Sequence, residues 1–141
     1  MNQDVRAQVI GYIQSRYGVS PEYLWNSDPD SAVFRHVENR KWFGILMRVS
    51  ADKLPWAMEA GAGGEESLDI LNLKCDPNLA AALTAGRRGI FPAYHMNKTH
   101  WISICLNGSV PEDEVGSLIA LSFELTGVQQ KLSPAGSSAG S

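Results

Sequence analysis

The chain has 141 residues, 44% of them hydrophobic and 19% charged, with a formal net charge of −3 and two cysteines. That length suits one domain with an ordinary core, and that balance excludes a disordered chain. No apolar run approaches the roughly eighteen residues of a membrane span, and the opening "MNQDVRAQVIGYIQ" has an early acid and no apolar stretch of the secretory kind, so a cytoplasmic protein is expected.

Charge is unevenly spread. Residues 1–70 sum to −3, residues 71–106 to +3 through Lys74, Arg87, Arg88 and Lys98 against Asp76, and residues 107–127 to −4. The basic middle is small and flanked by acid.

Residues 3–17 place Val5, Val9, Ile10, Ile13 and Tyr17 on one helical stripe, with Gly18 as the stop. "VSPEYLWNSDPDSA" is a loop whose Leu24 and Trp25 are expected to tuck into the core edge. "SAVFRHV" and "WFGILMRV", joined by the polar "ENRK", form an antiparallel hairpin; alternation puts Phe43, Ile45, Met47 and Val49 on one face. A glycine-rich connection with Gly61–Gly64 as its mobile part leads to a third strand, "LDILNLKC", with Leu71 and Leu73 on one side. In "DPNLAAALTAG", Asp76 suits the N-cap, Pro77 the first helical position and Gly86 the C-terminal cap. "GIFPAYHMNKTHWISICL" holds a turn at Asn97-Lys98 and at least one strand with Ile102, Ile104 and Leu106 facing one way. A last helix, capped by Ser109 with Glu112 reaching back, runs to about Thr126 with Leu118, Leu121, Ser122 and Leu125 in its stripe. The fold class is α+β: two layers, an antiparallel sheet of four to five strands with the helices on one face, in the order α-β-β-β-α-β(-β)-α. The domain spans 1–127, and the tail 128–141 is expected to be disordered.

No catalytic, metal or cofactor site is expected. His95 and His100 stand five apart, on opposite faces of a strand unless a turn intervenes, and no histidine–cysteine ligand spacing occurs. Acid–base work by a histidine stays open beside the plainer reading of a hydrogen-bonded turn histidine. The charge of Asp76 raises the Cys75 thiol pKa, against a nucleophilic role. The later helices open with acid, which repels phosphate. Arg87 and Arg88 either stabilise the carbonyls of a helix end or join Lys74 and Lys98, with the rings of Tyr94 and Trp101, in a cationic patch that holds phosphates and stacks bases. His95, Asn97 and His100 belong to that candidate contact, and Arg35, Lys41 and Arg48 widen it if their hairpin faces the same way.

"RHVENRKWFGIL", "LNLKCDP", "GIFPAYHMNKTHWISICLNGSVPEDEV" and "LIALSFELTG" together resemble the MmcQ/YjbR family over about residues 2–127. The resemblance rests most on Lys74, Cys75, Asp76, Pro77, Pro92, Tyr94, His95, Met96, Asn97, Lys98, His100 and Trp101. It implies a compact α+β domain of the CyaY-like or secretion-chaperone-like type and a DNA-binding label, with no catalytic motif. Three function classes follow: a non-enzymatic binder of DNA or RNA, a protein-interaction domain using Trp42, Leu46 and Trp101 or a strand edge, and a small-molecule binder or enzyme near His95.

Overall fold

A computed structural model describes residues 5–54, 67–86 and 89–127. The connection at residues 61–64, Arg87, Arg88 and the tail from residue 128 lie outside the described residues. The elements are helix α1 (Val5–Tyr17), strands β1 (Ala32–Arg35) and β2 (Trp42–Ser50), strand β3 (Ser67–Lys74), helix α2 (Pro77–Gly86), strands β4 (Ile90–Pro92) and β5 (Trp101–Cys105), and helix α3 (Glu112–Thr126). The five strands form one antiparallel sheet in the order β1-β2-β3-β5-β4. This is the α+β architecture expected from the order of periodicities.

The helices share one sheet face. Ala32, Phe34, Leu46, Leu71, Leu73, Ile90, Ile102 and Ile104 are buried there against Val9 and Ile13 of α1, Ala80 and Leu83 of α2, and Leu118 and Ile119 of α3. Each fully buried aliphatic side chain removes enough apolar surface to stabilise the fold by about 1.5–3 kcal/mol. A smaller cluster of Val49, Leu54, Leu68, Ile70, Phe91 and Cys105 forms on the other face, with Met47, Ala51 and Tyr94 packed against it. Beside β1, Glu22 makes a two-way backbone bridge with Val33.

Local chemistry sets most boundaries. Gly18 takes φ +69° directly after α1 and its N–H returns to Gln14, a turn that glycine enters at no steric cost. The Asp76 carboxylate accepts the N–H groups of Asn78 and Leu79 at 3.0 and 3.3 Å, the N-cap expected of it.

Four details differ from expectation. Phe34 pairs with Gly44 and Arg35 with Trp42, so Phe43 is the extra residue of a β-bulge. The bulge turns Phe43 onto the helix face, where it meets Tyr17, His36 and Phe123. Ser109 does not cap α3: its N–H and hydroxyl both go to the side-chain oxygen of Asn107, and Pro111 occupies the cap position. The buried stripe of α3 is Leu118, Ile119, Ser122 and Thr126, while Leu121 and Leu125 face outward. Leu24 and Trp25 are also exposed.

Candidate functional site

The register brings distant segments to one end of the sheet. Gly44 pairs with Leu73, and Lys74 pairs with Trp101. β2 therefore begins where β3 ends and β5 begins, which puts the β1–β2 turn beside the Tyr94–His100 turn. The C-terminus of α3 is tied to the same end: Nε2 of His36 meets the Thr126 hydroxyl at 2.9 Å, and the Asn39 amide donates to the Thr126 carbonyl at 2.8 Å. At this end Arg16, Arg35, Arg40, Lys41, Lys74 and Lys98 outnumber Glu22, Glu38, Asp76 and Glu124 by two. The far end carries Asp52, Asp69, Glu112, Asp113 and Glu114 with Arg6, Arg48 and Lys53, and Arg6 and Arg48 are both bridged to Asp69. Among the described residues the first end is therefore the more positive of the two.

The Tyr94–His100 turn is fixed from beneath. The Ser103 hydroxyl donates to the side-chain oxygen of Asn72, the Asn72 amide donates to the Tyr94 carbonyl at 3.0 Å, and the Tyr94 N–H donates to the Ser103 oxygen at 2.9 Å. Asn72 and Ser103 are fully buried, so this closed ring satisfies groups that would otherwise be costly. It holds the chain where His95 takes φ +61°, a left-handed conformation that side chains other than glycine rarely adopt. The His95 ring leaves the turn edge-on to Tyr94, 4.1 Å between centroids. Asn97 makes the turn, its side-chain oxygen accepting the N–H groups of Thr99 and His100. Lys98 folds back to donate to the Ala93 carbonyl at 2.9 Å, and His100 accepts the Cys75 N–H through its carbonyl at 2.7 Å.

The remaining cations differ in availability. The Lys74 ammonium lies 5.7 Å from the centre of the Trp101 ring, within cation–π range. Arg35 makes a two-pronged pair with Glu22, one arm 2.9 Å long, and holds that carboxyl below its usual range. Lys41 is exposed at the hairpin turn, where its N–H donates to the Asn39 side chain. Gly89 stands near the opposite end: its carbonyl accepts the Cys105 N–H, and a Cβ there would lie 2.8 Å from Ser109 and Val110.

The rings are placed otherwise than the sequence suggests. Trp101 is only 8% exposed and Tyr94 is half-buried, so neither offers an open stacking face, and Leu46 is fully buried. The exposed rings among the described residues are Tyr23 at 53%, Tyr12 at 40% and Trp25 at 38%; Trp25 meets Trp42 edge-on at 5.9 Å, with Leu24 and Val37 exposed as well. Sequence patterning missed Trp25; the available signal was its polar surroundings in "WNSDPDSA". His95 and His100 are exposed, and among the described residues no carboxylate bonds to either. The third histidine, His36, is buried against Phe43 and Phe123, and burial pushes its pKa down. Burial, and then the charge of Asp76, push the Cys75 thiol up. No cluster of three metal-binding side chains occurs among the described residues, and none of the described helices is long and apolar enough to cross a membrane.

A family model described as YjbR matches residues 14–125. The chain belongs to the YjbR family. The YjbR relatives are themselves described as uncharacterised: the YyaQ protein of Bacillus subtilis is 43% identical over 121 residues, covering 86% of this chain and 97% of that protein. The YjbR protein of Escherichia coli K12 is 32% identical over 59 residues, 42% of this chain and 50% of that one. A crystal structure of a Pseudomonas syringae protein, 43% identical, superposes with a TM-score of 0.76 over 89% of this chain and 99% of that chain. The Deinococcus radiodurans protein DR2400, at 24% identity and a TM-score of 0.54 over 76% of this chain and 67% of that chain, shares the fold.

Proposed function

We propose that this YjbR-family protein is a non-enzymatic cytoplasmic binding protein that takes single-stranded nucleic acid at the basic end of its sheet. What supports this reading is that strand register brings the segments bearing Arg35, Lys41, Lys74 and Lys98 to one end of the sheet, where Trp25 meets Trp42 and Tyr23 is exposed. Cations neutralise phosphates and open rings stack on unpaired bases, with no need for a catalytic group. His95, Asn97 and His100 complete the contact at the turn, with Tyr94 as its half-buried support. Three or four phosphate contacts against nearby carboxylates give modest affinity, with a log–log salt slope of about −2 to −3.

Fluorescence anisotropy with labelled single-stranded DNA, duplex DNA and RNA tests the reading. Binding of a single strand is expected, weakening with salt. Lys74→Gln and Lys98→Gln each flatten the salt slope, and Trp25→Ala lowers affinity by about tenfold or more through lost stacking. Absence of a salt-sensitive signal on all three probes at about 100 µM protein would overturn it, since non-specific binding alone reaches that range.

A second reading is favoured by the exposed Tyr23, Leu24, Trp25 and Val37: the same edge docks a protein through an apolar contact. That interaction persists at high salt, where the nucleic-acid contact is lost.

A further inference from the structure

A cleft of about 850 Å³ opens between α1 and α3, at the end of the sheet opposite the Tyr94–His100 turn. We propose that it is a separate binding site for a small molecule with an apolar body and a cationic amine head. The reading is independent of nucleic-acid binding.

The shape comes from two helices lying alongside each other in the same direction. At one end the rings of Tyr17 and Phe123 stack at 4.3 Å and close the space between them. Toward the other end the helices part, and Val5 of α1 and Glu112 of α3 share the mouth. The walls and floor are apolar, with Val9, Val110, Val115 and Ile119 among them. Gly116 leaves room for Tyr12 to lie against α3, since a Cβ at that position would stand 3.0 Å from the Tyr12 hydroxyl, and both residues line the cleft. Small-ligand sites have volumes of roughly 300–1,000 Å³ and combine apolar lining with a few placed polar groups, and this cleft has both features.

Charge selects the ligand's head. Glu112 and Asp113 line the mouth, and among the described residues no lysine or arginine lines the cleft. Arg6, the cation on the adjoining turn of α1, is directed to the Asp30 carbonyl and to Asp69 instead. Two full negative charges outweigh the fractional positive charge at the start of α3. A carboxylate ligand is repelled at this mouth, a neutral one is tolerated, and an amine is attracted.

The test uses the full chain labelled with nitrogen-15 and three probes of equal chain length: octylamine, octan-1-ol and octanoate. Octylamine is expected to give saturable amide shifts at Gly108, Val115 and Gly116. Octan-1-ol is expected to bind the same amides about fivefold more weakly, in keeping with exposed charge pairs. Octanoate should leave them unmoved. The double variant Glu112→Gln, Asp113→Asn changes only exposed side chains and should bring octylamine down to the level of octan-1-ol, with the amides of β3 unshifted as the check on folding. Octanoate binding as tightly as octylamine, an unchanged octylamine affinity in the double variant, or no saturable shift with octylamine would each overturn the proposal.

Discussion

Replacing Ser122 by alanine removes one hydroxyl from α3, and its effect on stability can be worked from three atoms. The Ser122 oxygen accepts the Lys74 N–H at 2.9 Å and donates to the Phe43 carbonyl at 2.6 Å. Phe43 is the bulge residue and Lys74 the last of β3, so both groups lie where the β2–β3 ladder has ended. Ser122 is fully buried and joins the two strands in place of a ladder bond. Alanine leaves one buried donor and one buried acceptor unmet, each at about 1–3 kcal/mol. Relief of burying the hydroxyl offsets part of this, so the net loss should be about 2–4 kcal/mol. For a domain of this size that corresponds to a fall in Tm of about 6–15 °C. Urea unfolding followed by tryptophan fluorescence measures it, with an unchanged slope against denaturant showing that only stability has moved. The matched control is Ser117→Ala, one turn earlier, whose exposed hydroxyl bonds to Asp113 within the helix; it should change stability by less than about 0.5 kcal/mol. A Ser122→Ala protein within 0.5 kcal/mol of the parent would refute the reasoning, because the two strand ends would then not depend on the hydroxyl.

His36 supplies a pH dependence with a definite sign. Its pKa is pushed down in the folded protein by burial, against the opposing pull of the Phe123 backbone and Glu38, so the unfolded chain binds the proton more readily. Its contribution is complete above the ordinary histidine value of about 6.5 and is lost as pH falls through the folded value; urea midpoints between pH 7.5 and 5 should fall less steeply in His36→Gln than in the parent, and equal slopes would count against the assignment. Gly89→Ala should cost about 2–4 kcal/mol, since φ is +85° and the new Cβ would stand 2.8 Å from both Ser109 and Val110. Gly18→Ala, at φ +69° with open space around it, should cost only about 1 kcal/mol by the same urea assay. Cys75 and Cys105 are buried, and Ellman's reagent at pH 7.5 should therefore find no thiol in the folded protein and two after denaturation.

The local rules carried far along this chain, and they stopped where long-range geometry took over. The Asp76-Pro77 start and the Gly18 stop are read from neighbours alone, and both stand in the structure. Phe43 was misplaced because alternation assumes an unbroken ladder, and a bulge resets the period. Ser109 fits a capping box in sequence, but Asn107, two residues earlier, is the nearer acceptor. In α3, Leu121 and Leu125 lie together on one side of the buried stripe and share the spacing of Leu118 and Ser122, so spacing alone favoured them over Ile119 and Thr126. The candidate contact shows the same division. The Asn97 turn was legible, whereas the approach of Arg35 and Lys41 to Lys74 depends on which residues of β2 and β3 face each other. That pairing joins positions some thirty residues apart, and no local pattern states it.

The two outer strands of the sheet set how this protein can meet others. β1 is four residues long and already has Glu22 bonded across its free side, and β4 is three residues long and ends in Pro92, which has no N–H to give. Short, covered or proline-ended borders are the devices by which sheets avoid growing from one molecule into the next. Stacking of copies edge to edge is thereby suppressed, and an extended peptide finds no row of free backbone groups to join. Recognition is left to side chains on the faces and ends of the sheet, where single substitutions can change it without disturbing the strands.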